Sequence, residues 1–371
     1  VRTRKPLTVL ATVDPVLRDA VVFNTVVDRP GTVALRHDIV DGPDGGGIRR
    51  VVVDRSGVLE DVLVPLEHAC LSCAVREDAI PSLERLALDP RWDAAVLALP
   101  VSAESLPVTR ALGQATRRGG GLRGIRLASV LSAVDRETFE DDLLGDDLLD
   151  ERDLGLTDDD ERSVGEAVAA QVGHADVVLV AGEDRAGARG DLVASDLIDH
   201  VRATGSRRLD GLHALDVDEL FRGEHDVDAA ERRLDPRHAS AVPDAPTEHG
   251  VWTLELHSDR PLHPERLVSQ VARLGQGRLR SRGHFWVPSR PDSVCLWDGA
   301  GGQLSLGALG RWDGATAQTH LVVTGVDDVR DELRAAFDEI LLTPQELQAG
   351  LHRWLGRADV LEPWLGERSA A

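Results

Sequence analysis

Through its first two hundred residues the chain alternates short β-rich runs with stretches of helical period, and this alternation restricts the fold more than any single motif. Strands separated by helices pair in parallel, because each helical crossover returns the chain to the same end of the sheet. The pattern therefore predicts an α/β domain with a mainly parallel sheet, its strands at 7–11, 32–36, 50–53, 94–99, 125–134 and 177–181. Helices are expected over 80–88, 105–117 and 163–172. Residues 41–47, rich in Asp, Gly and Pro, read as a hairpin-like turn, and the acidic run 140–161 as a solvated insertion or exposed helix. Across 222–250 the apolar pattern fades into Asp, Glu, His, Ala and Pro, the composition of a linker or a loosely packed connection, in which His225, His238 and His249 could bind metal weakly but read as solvated. A smaller α+β layer follows, with strands near 251–256, 285–287, 293–298 and 320–324 and helices over 264–274 and 328–340. The expected organisation is thus 1–221, a linker 222–250, a second domain 251–342 and a helical tail 343–371.

A chain of 371 residues is long enough for two cores. Its formal charge of −22 opposes broad contact with DNA or anionic lipid. No apolar stretch approaches the roughly 18 residues of a membrane span. The apolar run that ends at Asp14 is too brief for a secretory leader, so a cytoplasmic location is expected. Three cysteines, Cys70, Cys73 and Cys295, are too few for a disulfide scaffold. Cys295 sits in an apolar strand and reads as core, whereas Cys70 and Cys73 form a Cys-x-x-Cys pair suited to metal binding or redox work.

That pair lies in Glu67-His68-Ala69-Cys70-Leu71-Ser72-Cys73-Ala74-Val75-Arg76-Glu77-Asp78. Two thiols three residues apart can share one tetrahedral zinc, and Glu67 or His68 is near enough in sequence to add a ligand. The competing reading is two half-buried cysteines packing the start of a helix. The segment resembles the signature of the CobW family of GTP-dependent metallochaperones, Gly-Cys-x-Cys-Cys followed by x-x-Arg-x-Asp. Cys70, Cys73, Arg76 and Asp78 fall on it, while Ala69 replaces the glycine and Ser72 the middle cysteine. Glu67 matches the preceding acidic position, and His37-Asp38 falls on an Asn-Glu pair at the end of the family's second strand. The resemblance implies zinc held by Cys70 and Cys73 with help from Glu67, His37 or Asp38. It extends through Arg260 to Leu267, Arg280 to Trp286 and Gly307 to Trp312. It implies a P-loop NTPase-like, mainly parallel sheet with a degenerate nucleotide site, followed by a smaller α+β CobW C-terminal domain.

The departures bear on chemistry. Where the family has Gly-x-x-Gly-x-Gly-Lys-Thr, this chain has Ala11-Thr12-Val13-Asp14-Pro15-Val16-Leu17-Arg18-Asp19, with no glycine or lysine for a phosphate. The acidic end of a later strand is replaced by Ala98-Leu99-Pro100-Val101, and the guanine-reading motif by Ala181-Gly182-Glu183-Asp184. GTP and magnesium are therefore not expected as cofactors, and GTP hydrolysis is not expected as an activity. Within the family, Cys-Leu-Ser-Cys with a degraded P-loop resembles the actinobacterial factors that recruit a ribosome hibernation protein when zinc is scarce. This implies a zinc-responsive regulatory factor with the ribosome or a ribosome-associated protein as partner; the alternative is a GTP-dependent zinc metallochaperone. Between Arg260 and Arg290 seven arginines face only Glu265, so Arg278, Arg280 and Arg282 are the candidate contacts to RNA or a partner. The competing reading is a solvated face with Phe285 and Trp286 buried.

Overall fold

The protein is described from a computed structural model covering residues 4–40, 46–66, 70–117, 119–182, 189–238, 245–355 and 359–367. It divides into two compact units, one of residues 1–140 and 147–234, the other of 141–146 and 235–371.

The first unit is built on an eight-stranded sheet. Its strands are β1 (Lys5–Ala11), β2 (Thr32–Val40), β3 (Gly47–Asp54), β4 (Gly57–Pro65), β5 (Ala94–Ala98), β6 (Ile125–Asp135), β7 (Val177–Ala181) and β8 (Arg207–Asp210). The order is β4-β3-β2-β5-β1-β6-β7-β8. From β2 to β8 every pairing is parallel, and β3 and β4 join antiparallel at one edge. Strands β5 and β7 are apolar along their whole length because helices cover both faces; all five residues of β5 are buried. The expected mainly parallel sheet is the one found. Strand β4 was not among the predicted strands: Glu60-Asp61 interrupts its alternation, and a register shift opposite Val52 and Val53 breaks the period of two. Both acids face arginines instead, Asp61 with Arg49 and Glu60 with Arg85.

After β1 the chain turns into helix α1 (Pro15–Asp28). Asp14 caps it and Pro15 occupies its first turn, where a missing N–H costs nothing. Leu17, Val21, Val22 and Val26 form its buried stripe, packed on Leu10, Val96, Leu131 and Leu179 of the sheet. The helix Val227–Leu234 lies in the expected linker but packs within the first unit, burying Ala230. His225 is not solvated as expected: it is buried, with Nδ1 2.7 Å from Asp176.

The second unit carries a five-stranded antiparallel sheet of β9 (Trp252–Ser258), β10 (Leu279–Phe285), β11 (Ser293–Ala300), β12 (Gln303–Arg311) and β13 (Thr319–Gly325), in the order β12-β11-β10-β13-β9. One face alternates Trp252, Leu254 and Leu256 with Leu321, Val323, Phe285 and Trp297, and the helix Arg330–Ile340 packs Leu333 and Phe337 into the same core. Trp297 is wholly buried and its indole N–H donates to Ser281 Oγ at 2.9 Å. Cys295 is in this core, where burial pushes its thiol up to about 12. Among the described residues no helix is long and apolar enough to cross a membrane.

Candidate metal centre

Beyond β4 the chain reaches Cys70, which caps a single helical turn, Leu71–Cys73; a wider π-helical turn, Ala74–Ala79, leads on to the helix Ile80–Leu88. The capping geometry brings the two sulfurs of the predicted pair together. Cys73 N–H donates to Cys70 Sγ at 3.4 Å, and Arg76 places a guanidinium nitrogen 3.9 Å from Cys73 Sγ. Cys70 is exposed and Cys73 buried. Burial alone would push the Cys70 thiol up, but hydrogen bonds from the Cys73 amide and thiol and the Ser72 amide, with the charge of Arg76, hold it below the ordinary cysteine range. Cys73 is pushed up, first by its hydrogen bond to Cys70 and then by burial. Cys70 is thus the more readily ionised thiol of the two, and two sulfurs on one turn suit a borderline-soft cation such as Zn²⁺.

The other predicted ligands are placed otherwise. Glu67, with His68, lies outside the described residues. His37 and Asp38 are neighbours on β2 and so point to opposite faces of the sheet. His37 is buried with Nε2 2.8 Å from Asp78 Oδ2, and Arg50 donates to the other oxygen of that carboxylate and to Ser82 Oγ. Burial would raise the Asp78 carboxyl, but His37 and Arg50 hold it below the usual carboxylate range. Asp38 lies 2.7 Å from Arg18 and 3.2 Å from Arg36. Among the described residues no three His, Cys, Asp or Glu side chains converge on a point for a metal ion. The His37–Asp78–Arg50 network was missed in the sequence; its only trace there is the match of Asp78 to the family signature.

Residues 11–19, which the resemblance aligns with a phosphate loop, have internal partners. One Asp14 oxygen accepts from Val16 N–H at 2.7 Å and Leu17 N–H at 2.9 Å, so a carboxylate already occupies the helix-terminal amides that would face a phosphate. Arg18 is buried and, besides Asp38, donates to the carbonyl of Leu99 at 3.1 Å. The first half of the altered guanine motif, Ala181-Gly182, closes β7; Glu183 and Asp184 lie outside the described residues.

Residues 251–341 match the family of the cobalamin synthesis protein CobW C-terminal domain. That stretch is similar to the CobW C-terminal domain. A zinc chaperone of Mycobacterium tuberculosis is 27% identical over 320 residues, covering 82% of this chain and 74% of the relative. A zinc-regulated GTPase metalloprotein activator of Dictyostelium discoideum is 25% identical over 264 residues, covering 68% of this chain and 55% of the relative. The Zn(II)-bound YjiA GTPase of E. coli aligns over 91% of this chain and 99% of its own at 14% identity, with a TM-score of 0.35, a likeness too slight to bear on fold or chemistry.

Within the second unit most of the arginine-rich segment is paired with acids. Arg280 pairs with Asp298, Arg278 with Asp141 at 3.1 Å, Arg273 with Glu339 and Arg266 with Glu346 at 2.8 Å. Arg290 is buried against Asp359. Arg282 is largely buried, and burial with neighbouring Arg280 pushes its guanidinium down to about 10. Phe285 and Trp286 are buried too. Among the described residues five of the seven arginines thus face acids, four of them distant in sequence, which a reading along the chain does not count, and Arg260 donates to the carbonyl of Leu342.

Proposed function

We propose that this chain is a zinc-handling protein of the CobW family in which Cys70 and Cys73 take the ion and GTP hydrolysis has been given up. The observation that carries it is the pairing of an exposed, thiolate-favouring Cys70 with Cys73 on one turn. Zinc in the names of the matched relatives supports the metal. The loss of nucleotide chemistry is supported by Asp14, whose carboxylate takes the amides a phosphate would need, and by Arg18, held by Asp38 and a carbonyl. The likeness to ribosome-directed actinobacterial factors adds a partner to this reading, although two of the arginines that would meet RNA, Arg278 and Arg280, pair with Asp141 and Asp298.

The double variant Cys70→Ser/Cys73→Ser is expected to lose one equivalent of zinc relative to the parent when both are dialysed against buffered zinc and analysed for metal. Equal zinc in the two removes the site. Titration of GTP with magnesium in a calorimeter is expected to show no binding at micromolar concentrations, because the phosphate position is filled by a carboxylate. A clear micromolar isotherm would instead restore the GTP-dependent metallochaperone.

A further inference from the structure

The face of the C-terminal sheet opposite its core carries a row of histidines that the dithiol reading does not use. In the register of β9 and β13, His257 stands directly opposite His320, and in that of β10 and β13, His320 stands directly opposite His284. Directly paired residues point to the same face, so three imidazoles line three adjacent strands, with ring centroids 6.1 and 6.0 Å apart. Glu255 precedes His257 by two residues and shares that face; its Oε2 is 3.6 Å from His320 Nε2.

We propose that Glu255, His257 and His320 form a second site for a divalent transition metal of the Zn²⁺ class, independent of the thiols. Two residues at i and i+2 on one strand and a third directly opposite on its neighbour make a compact triangle. Its strand side is about 6–7 Å and its cross-strand side about 5 Å between Cα atoms, within reach of one ion for imidazole and carboxylate side chains. The proton positions favour this. His257 Nε2 lies 3.2 Å from Gln318 Oε1, which can only accept, so Nε2 carries the proton and Nδ1 keeps a lone pair. His284 Nδ1 lies 3.1 Å from the carbonyl of Pro236 and is protonated for the same reason, leaving Nε2 as an acceptor that is buried and has no hydrogen-bond partner among the described residues. A His320 that binds metal through Nε2 must place its other ring N–H, and His284 Nε2 is the acceptor beside it; metal-bound histidines are commonly fixed by such an outer hydrogen bond. The rings now stand edge to face and no three donors yet converge. His257 is exposed and the His320 side chain 18% exposed, so side-chain rotation on fixed strands is what gathers them. The chain's net charge of −22 favours a cation over an anion at this face.

Four full-length proteins test the proposal by dialysis against buffered zinc and metal analysis: the parent, Cys70→Ser/Cys73→Ser, His257→Ala/His320→Ala, and the quadruple variant. The expected contents are two, one, one and no equivalents. In the cysteine double variant, zinc should also raise the melting temperature, and His257→Ala/His320→Ala should abolish that rise. Glu255→Gln, which keeps the side chain's shape, should weaken zinc at least about tenfold in the same background, and it serves as the test should the histidine pair fail to fold. One equivalent retained by the quadruple variant, or zinc affinity unchanged by Glu255→Gln, overturns the histidine site. Loss of the parent's only equivalent on removing the histidines, with none lost on removing the thiols, overturns the dithiol and keeps this site.

Discussion

Replacing Asp78 by alanine is expected to destabilise the first unit by about 3–5 kcal/mol, the range for removing one partner of a buried ion pair. Asp78 is 3% exposed and His37 2%, and Arg50 meets the same carboxylate from β3. The substitution leaves a buried imidazole and a half-buried guanidinium without their acceptor, and Arg50 recovers only in part through Ser82 and a Glu60 oxygen 3.5 Å away. Urea unfolding of parent and variant reads the difference; a loss below about 1 kcal/mol would show that the pair is not a buried anchor. Because the carboxyl is held below the usual range, its contribution is present above the unfolded carboxylate pKa near 4 and lost as the pH falls through the lower folded value. Replacing His37 and Asp78 together by apolar residues should cost less than the sum of the single changes, since no buried imidazole is then left without its partner and only Arg50 loses its acceptor. Zinc affinity should fall with Asp78→Ala as well, because Asp78 pins the turn that begins at Cys73.

Acid should weaken the same unit well above the carboxylate range, through His174. This side chain is fully buried, its Nδ1 2.7 Å from Ser105 Oγ and its ring edge to face with His225 at 5.3 Å. Burial first, and then the neighbouring His225, push its pKa down to about 3. An unfolded histidine takes up its proton near pH 6.5, while the folded one stays neutral until about pH 3. Below pH 6.5 each unit of acidification therefore favours the unfolded state by about 1.4 kcal/mol, and about 2 kcal/mol should be lost between pH 6.5 and pH 5. The depressed Asp176 carboxyl beside His225 acts only below about pH 4, so the two windows separate. Unfolding free energies at pH 6.5 and 5 should show that slope in the parent and a flatter one in His174→Gln. Equal slopes would assign the acid sensitivity elsewhere.

Much of the fold could be read along the chain because its signals are local. Runs such as Ala94–Ala98 and Val177–Ala181 are apolar throughout since both faces of a parallel sheet are covered, and the helices between them carry buried stripes at helical spacing. The edge strand β4 was hidden because its acids answer Arg49, Arg50 and Arg85, a pairing that exists only once β3, β4 and the helix Ile80–Leu88 have met. The site divides in the same way. Cys70 and Cys73 are three residues apart, so local helical geometry alone brings them together, and the missing glycines and lysine of the phosphate loop are a property of one short segment. His37, Asp38 and the arginines of 260–290 could not be assigned from neighbours in sequence: their partners Asp78, Arg18, Asp298, Glu346 and Asp359 come from other elements. The histidines His257, His284 and His320 are spread over sixty-odd residues of sequence, and only the antiparallel register of three strands makes them neighbours. Residue order thus determined the elements and the adjacent thiols, because those depend on contacts a few residues apart. The tertiary structure alone decided which charges are cancelled and which imidazoles share a face, because Coulombic and hydrogen-bond partners are set by distance in space.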